Sequence, residues 1–540
     1  MKNSVKVVII VGIFVLFGLI ATAFYFIIND SNNVDTSVSE AISEVNEEND
    51  STIKDDIDWS NYTKKTINLE NNITINQEGV YELNGTASNI SVNVNTKGNV
   101  KLILNNVSIN NSNNAFIIVE EADVVYIELV GNNSITTTVN NDINASIYSS
   151  DDLLLLGDGS LSIKSNIDGI ASKDDLMIVS GKYIINCEDD GIRSSDSLYI
   201  KNGSFSIQSN GDAIKTTNEE KGSIYIEDGK FDINSNNDGI DSISTITIKN
   251  GNFNITSGSN NENSEESKKG IKAVSNILVE SATININSED DSIHSNSAIE
   301  INGGKITISS NDDALHADNT IIIKDGNIDI IKSYESIEAN YIIIDSGNIN
   351  VNSSDDGINV SGGANQTGNV RMDEFSDNGG YLKITGGNIY VNSSGDGLDS
   401  NGSIYISGGY ITVDGPTNSG NGALDYNGEF IINNGTLIAV GSSGMAQSVS
   451  SNSTQNTVQI NLNNVSTGSI EFADIKYEPS KLYQNIIISS PNLELNKEYK
   501  LLIDKNLYET YTLSQSISSF GSSNNSGPGG MNNRQTNIRR

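Results

Sequence analysis

Carboxylates return along this chain at an interval that could support cation chemistry. Asp168-Gly169-Ile170, Asp190-Gly191-Ile192, Asp212-Ala213-Ile214 and Asp238-Gly239-Ile240 share one pattern: an acid, a small residue, an apolar residue. Asp291-Ser292-Ile293, Asp313-Ala314-Leu315, Glu335-Ser336-Ile337, Asp356-Gly357-Ile358 and Asp396-Gly397-Leu398 repeat it, while Gly270-Ile271 and Asn421-Gly422-Ala423-Leu424 keep the spacing without the acid. Asp189, Asp290, Asp312 and Asp355 add a second carboxylate. If equivalent residues stack about 4.8 Å apart, neighbouring carboxylates repel by roughly 1 kcal/mol in water and about 3–4 kcal/mol at an effective dielectric of 20. Such a row must be screened, protonated or bridged. Calcium suits the last role, being hard and taking 6–8 oxygens in flexible geometry. Asp189, Asp190, Asp212, Asp238, Asp290, Asp291, Asp312, Asp313, Asp355 and Asp356 are the candidate ligands, with side chains around Asn210, Asn236 and Asn311 to complete the shell. The plainer alternative is a row of turn residues whose carboxylates satisfy backbone N–H groups.

The residue after each apolar marker should point the other way, to the outside. That column reads Arg193, Lys215, Asp241, Lys272, His294, His316, Glu338, Asn359, Asp399 and Asp425. Insertions at 217–222 and 361–379 follow this strand, and those at 258–268 and 415–420 precede it. Loops on both sides of one face make a groove, so the column is read as the floor of a polymer-binding groove. A solvated face with tolerated loop growth is the alternative. Tyr334, Tyr426 and Tyr199 are candidates for stacking on sugar rings.

The markers are spaced by 22, 22, 26, 31, 22, 22, 22, 21, 40 and 26 residues. A basal period of about 22 is one repeat per coil of a solenoid. Six residues after each marker comes an alternating pair such as Leu176/Ile178 or Ile321/Ile323. Eleven residues on comes glycine (Gly181, Gly203, Gly251), and then a second pair such as Tyr183/Ile185 or Phe205/Ile207. Period-two alternation is the signature of strands with one buried face. Three strands per coil predict an all-β parallel β-helix, right-handed by the crossover rule. Removing 18 residues near 361–379 returns the 40-residue spacing to phase. The single cysteine, Cys187, falls in a column of small residues that includes Ser165, Ser209, Ser235, Ser288 and Ser310. It reads as a buried packing residue; one Cys and two His build neither a disulfide framework nor a zinc site.

Lys and Arg total 32 against 69 Asp and Glu, a formal charge of −37, which would repel nucleic acid. Val7 to Ile28 is an uncharged, mostly apolar run of about 33 Å as a helix. Lys2 and Lys6 precede it and Asp30 follows, so the bulk of the chain is expected outside the membrane. Residues 1–28 are read as a transmembrane anchor, with a cleaved signal at Ala21-Thr22-Ala23 as the alternative. Residues 29–58 read as a disordered acidic stalk, 59–450 as the β-helix, 451–517 as a β cap, and 518–540 as a disordered tail. The lone Trp59 would begin the fold.

Several stretches resemble a bacterial carbohydrate-binding β-helix family, related in fold to polysaccharide lyases. They are Asp174-Asp175-Leu176, Asp189-Asp190-Gly191-Ile192-Arg193, Asp312-Asp313-Ala314-Leu315-His316-Ala317-Asp318, Ser333-Tyr334-Glu335-Ser336-Ile337-Glu338 and Ser354-Asp355-Asp356-Gly357-Ile358-Asn359. The run from Gly415-Pro416 through Ala423-Leu424-Asp425-Tyr426 to Gly444-Met445-Ala446 continues the likeness. The resemblance implies extracytoplasmic binding of calcium and of cellulose-like or pectic acid polysaccharides, with calcium ligation carried to the doubled acids as a class. The departures are Ser292 and Ser336 in place of Gly or Ala, and Lys269-Gly270 without the acid. The expectation is a non-enzymatic binder. The alternatives are a calcium-dependent lyase using Arg193 or Lys215 as the base, and a structural surface spacer or adhesin.

Overall fold

The computed structural model describes residues 53, 57–140, 143–258, 266–361 and 379–521. The segments expected to anchor, to form most of the stalk and to form most of the tail lie outside the described residues, as do most of the insertions at 258–268 and 361–379. The start of the expected disordered tail is ordered instead: Ile517–Phe520 is a strand that pairs in parallel with Thr457–Ile460. Among the described residues no helix is long and apolar enough to cross a membrane.

The described chain is an all-β parallel solenoid of about 16 turns. Each regular coil contributes three strands. Ile192–Ser194, Leu198–Ile200 and Ser204–Ser209 form one such coil, and each pairs in parallel with its equivalents in the coils above and below. We call the three resulting faces the motif sheet, the second sheet and the third sheet. The apolar marker stacks without interruption from Ile170 through Ile192, Ile214 and Ile240 to Ile271, and onward to Leu424.

The turn into the third sheet needs the glycine column. Gly203 and Gly229 have φ values of +154° and +148°, a region that a side chain rarely adopts. Inside, Tyr183, Phe205, Phe231 and Phe253 stack face to face at centroid distances of 5.1, 4.7 and 4.5 Å. The predicted column of small residues pairs in register from Ser165 through Cys187 and Ser209 to Ser310, with Ser257 joining it. The Cys187 thiol is buried and donates to the Asp189 carbonyl at 3.2 Å. Burial pushes it up to about 12, the opposite of what a nucleophile needs.

Trp59 sits in a short 3-10 turn capped by the Asp58 carboxylate; its ring packs edge-on against Tyr126 at 5.1 Å, on the outer face of the second sheet beside Leu154 and Met177. At the C-terminal end Tyr483–Ser489 pairs antiparallel with Thr436–Gly441, the last strand of the third sheet. That pairing protects an edge that would otherwise template aggregation. Strands between residues 470 and 512 form a small four-stranded antiparallel sheet, whose Ile470, Phe472 and Leu501 share a second apolar core with Ile438 and Val440 of the third sheet.

Asp414 fastens this module to the third sheet. Its buried carboxylate accepts hydrogen bonds from Tyr477 Oη (2.5 Å), the Ser480 backbone N–H (2.7 Å) and Tyr390 Oη (3.0 Å). Asp414→Ala leaves those donors without their acceptor, so a loss of about 2–4 kcal/mol is expected. It should appear in hydrogen exchange as protection lost first in residues 470–513, with the central coils unchanged.

Candidate functional site

The motif sheet brings the acid ladder and the outward column together. The spacing is tight because the small residue lies against the next coil. A β-carbon on Gly191 would come within 2.4 Å of the Ala213 carbonyl oxygen. The acids are consequently drawn in close to the backbone. Each uses one oxygen to accept the backbone N–H of the equivalent residue one coil on. Asp190 N donates to Asp168 Oδ1 (3.2 Å), Asp212 N to Asp190 Oδ1 (2.9 Å), Asp238 N to Asp212 Oδ1 (2.8 Å) and Lys269 N to Asp238 Oδ1 (2.7 Å). The rail resumes from Asp313 to Asp291, Glu335 to Asp313 and Asp396 to Asp356. This is the backbone-satisfying role given above as the plainer alternative, and one oxygen of each of these acids performs it.

The second oxygen faces the outward column. The ten predicted column residues stack in one unbroken register from Arg193 to Asp425. In the N-terminal two-thirds their cations reach the ladder. Arg193 donates to Asp168 Oδ2 from Nε (2.9 Å) and Nη2 (2.8 Å). Lys215 donates to Asp212, and Lys272 to Asp238 Oδ2 at 3.0 Å. Asp241 lies between these ammonium groups, 3.8 Å from Lys215 and 3.4 Å from Lys272. Lys269, where the acid is missing, bridges Asp290 (2.7 Å) and Asp291 (2.8 Å). His294 Nδ1 lies 2.8 Å from Asp291, and His316 Nδ1 3.4 Å from Asp313. The two imidazoles meet edge to face at 4.9 Å.

Titration follows this wiring. Burial lifts Asp168 to about 6 even with Arg193 beside it, and lifts Asp190 to about 7 with help from Asp212. Burial works to raise Asp291 too, but hydrogen bonds from His294 and His316 and the Lys269 ammonium hold it well below the usual carboxylate range. Burial opposes the charge on Lys215, yet Asp212 and Asp190 together keep its ammonium above the ordinary lysine range. Arg193 and Lys215, the candidate bases, are thus each ion-paired to a carboxylate of the ladder.

The far end of the ladder is different. Among the described residues no Lys, Arg or His forms an ion pair with Glu335, Asp355, Asp356, Asp396, Asp399 or Asp425. Burial, reinforced by mutual repulsion, pushes Asp399 and Glu335 up to about 8, Asp396 to about 7 and Asp356 to about 6. Asn359 sits in the column between Glu338 and Asp399 and is 7% exposed. Its Nδ2 donates to Glu335 Oε2 at 2.7 Å, whereas its Oδ1 is buried without a donor. Carboxylate and amide oxygens are the donor types that a hard cation could take here.

Of the other predicted calcium ligands, Asp189 and Asp312 are exposed, and Asp190, Asp212, Asp238, Asp291 and Asp313 are buried. Oxygens of Asp168, Asp189 and Asp190 lie within 4.8 Å of one another, as do those of Asp212, Asp238 and Asp241, but Arg193, Lys215 and Lys272 already face these groups. The candidate aromatics divide. Tyr334 is exposed. Tyr199 stacks on Tyr225 at 4.7 Å. Tyr426 donates to the Ser448 carbonyl at 2.6 Å and packs on Phe430.

A carbohydrate-binding domain-containing family model matches residues 69–314 and 310–476. The chain therefore belongs to that carbohydrate-binding family. No curated protein matches it. Among solved structures, a polysaccharide lyase-like protein from C. thermocellum, as a gadolinium derivative, is 24% identical over 42% of this chain and 96% of that one, with a TM-score of 0.34. That similarity is too low to carry a functional argument.

Proposed function

We propose that the protein binds polysaccharide outside the cytoplasm, held at the membrane by residues 7–28, and that calcium stabilises its motif sheet. Membership of the carbohydrate-binding family over most of the solenoid supports the polysaccharide binding, and the apolar run at 7–28 with its flanking charges is the basis for the location. The second part rests on the uncompensated acids around Asn359. Asp355, Asp356, Asp399 and Asp425, with Asn359 Oδ1, would hold the ion. In the other coils the column's own cations take its place. We read the chain as a binder rather than a lyase because Arg193 and Lys215 are occupied in neutralising the ladder. The polymers favoured are cellulose-like and pectic chains, the latter bridged through calcium.

Retention on insoluble cellulose and on pectin, with and without chelator, tests this reading. Retention on at least one glycan is expected, with pectin retention lost on chelation. No retention on any glycan would sink it, and release of unsaturated product from polygalacturonate would replace it with the lyase alternative.

A further inference from the structure

The motif sheet is occupied with its own charges, so the other faces matter for a ligand that carries none. On the outer face of the third sheet, beside the C-terminal module, lies an open trough of about 420 Å³. Two columns form its floor. One runs Asn348, Asn388, Tyr410; the other runs Asn350, Tyr390, Thr412. These are the outward positions of strands whose alternate residues, Ile349, Ile389 and Ile411, are buried in the core.

Three observations give the trough its chemistry. First, its amides are pre-aligned by ladder hydrogen bonds. Asn388 Nδ2 donates to Asn348 Oδ1 at 3.1 Å, and Asn350 Nδ2 donates to Asp329 Oδ1 at 2.7 Å. Each bond fixes a side chain while leaving further amide donors and acceptors, such as Asn348 Nδ2 and Asn388 Oδ1, for a ligand. Second, Tyr410 is 41% exposed, and Tyr390 is fixed by its hydrogen bonds to Asp414 and Ser480 (3.0 and 3.1 Å). The trough thus pairs a rigid ring with an accessible one. Third, no lysine or arginine lines it. Asp329 stands in the lining and Asp474 acts on the Tyr410 phenol, while the neighbouring lysines lie outside it, Lys305 one coil before Asn327 and Lys481 turned to the Ser393 carbonyl.

We infer that this trough is a binding site for a neutral glycan chain, separate from the motif sheet and independent of calcium. A pyranose offers C–H faces to an aromatic ring and hydroxyl edges to amides. Pre-positioned donors and acceptors cost little to organise. An anionic polymer finds no cation in this lining and meets the Asp329 carboxylate there. The inference rests on the polysaccharide-binding reading and assigns the neutral part of it to one surface.

Calorimetric titration of the calcium-loaded protein with cellohexaose and with hexagalacturonate tests it. Tyr410→Ala should weaken cellohexaose binding about tenfold or more (about 1.4 kcal/mol), and Tyr410→Phe, which keeps the ring, should retain most of the affinity. Asn388→Ala should weaken it as well. Hexagalacturonate binding and the melting temperature should not move in any of the three. Wild-type cellohexaose affinity in Tyr410→Ala overturns the site while leaving the broader reading intact. So does an equal loss in the motif-sheet variant Glu338→Gln. If the wild-type protein binds neither oligosaccharide nor any insoluble glycan, the broader reading fails and this inference fails with it.

Discussion

Calcium added to the metal-free protein should raise its melting temperature strongly at pH 8 and only slightly at pH 5. The cause lies in the acids around Asn359. Asp399 and Glu335 are held at about 8 and Asp396 at about 7, first by burial and then by one another. A carboxyl whose folded value exceeds its unfolded one binds more protons folded than unfolded. Stability then falls as pH rises from the ordinary carboxylate range through the folded value. At pH 5 these groups carry protons, repel little and offer calcium no charge. At pH 8 Asp396 is mostly ionised and Asp399 and Glu335 about half, and the metal-free solenoid bears their repulsion in a partly buried site. A divalent ion relieves it, and at a hundredfold excess over its dissociation constant contributes about 2.7 kcal/mol. Asp399→Asn removes one charge, so it should stabilise the metal-free protein at pH 8 and shrink the calcium response. Thermal melts at the two pH values, with and without calcium, check both statements. An equal response at pH 5 and pH 8, or none at either, would remove the calcium site from these coils.

The same region shows how far a sequence can be read. The solenoid is legible because every element repeats. The marker, the glycine turn, the serine column containing Cys187 and the outward column all recur at one period, and each stacks in the expected register. What pairs with what across coils is less legible. Arg193 reaches back 25 residues to Asp168, and Lys272 reaches back 34 to Asp238. Sequence spacing places the ladder and the column as two separate lines, and only the geometry joins them as ion pairs. The orphan Oδ1 of Asn359 is also invisible in sequence, since it depends on Nδ2 being committed to Glu335. The trough on the third sheet went unseen for a different reason. Its Asn and Thr residues look like any solvated strand surface, and Tyr390 and Tyr410 stand out only once the insertion at 361–379 is removed and the coils are aligned.

Arg193→Ala should destabilise the protein by about 3–5 kcal/mol near pH 8, the usual cost of stripping one partner from a buried ion pair. Asp168 is 1% exposed, and both donors of the guanidinium converge on its Oδ2. The other oxygen is already committed to the Asp190 backbone N–H. With the arginine gone, a buried carboxylate keeps only neutral hydrogen bonds, from the Asp190 backbone N–H and from Asn144 Nδ2 at 3.2 Å, and faces Asp189 and Asp190, which lie close enough to share a cation. Protonation is its escape. Asp168 already stands at about 6 with the arginine present, and without it the group should titrate higher still. The penalty should therefore be largest at alkaline pH and shrink toward pH 5, in the same sense as for the acids around Asn359. Arg193→Lys restores the charge but not the two-pronged contact, so it should recover only part of the loss. In a solenoid each coil depends on its neighbours. Hydrogen exchange should consequently show the first loss of protection in residues 165–215 rather than at the ends of the solenoid. A variant that melts like the wild type at pH 8 would mean that the ladder does not depend on its column. A variant that melts normally yet loses turnover on polygalacturonate would give Arg193 a catalytic task instead.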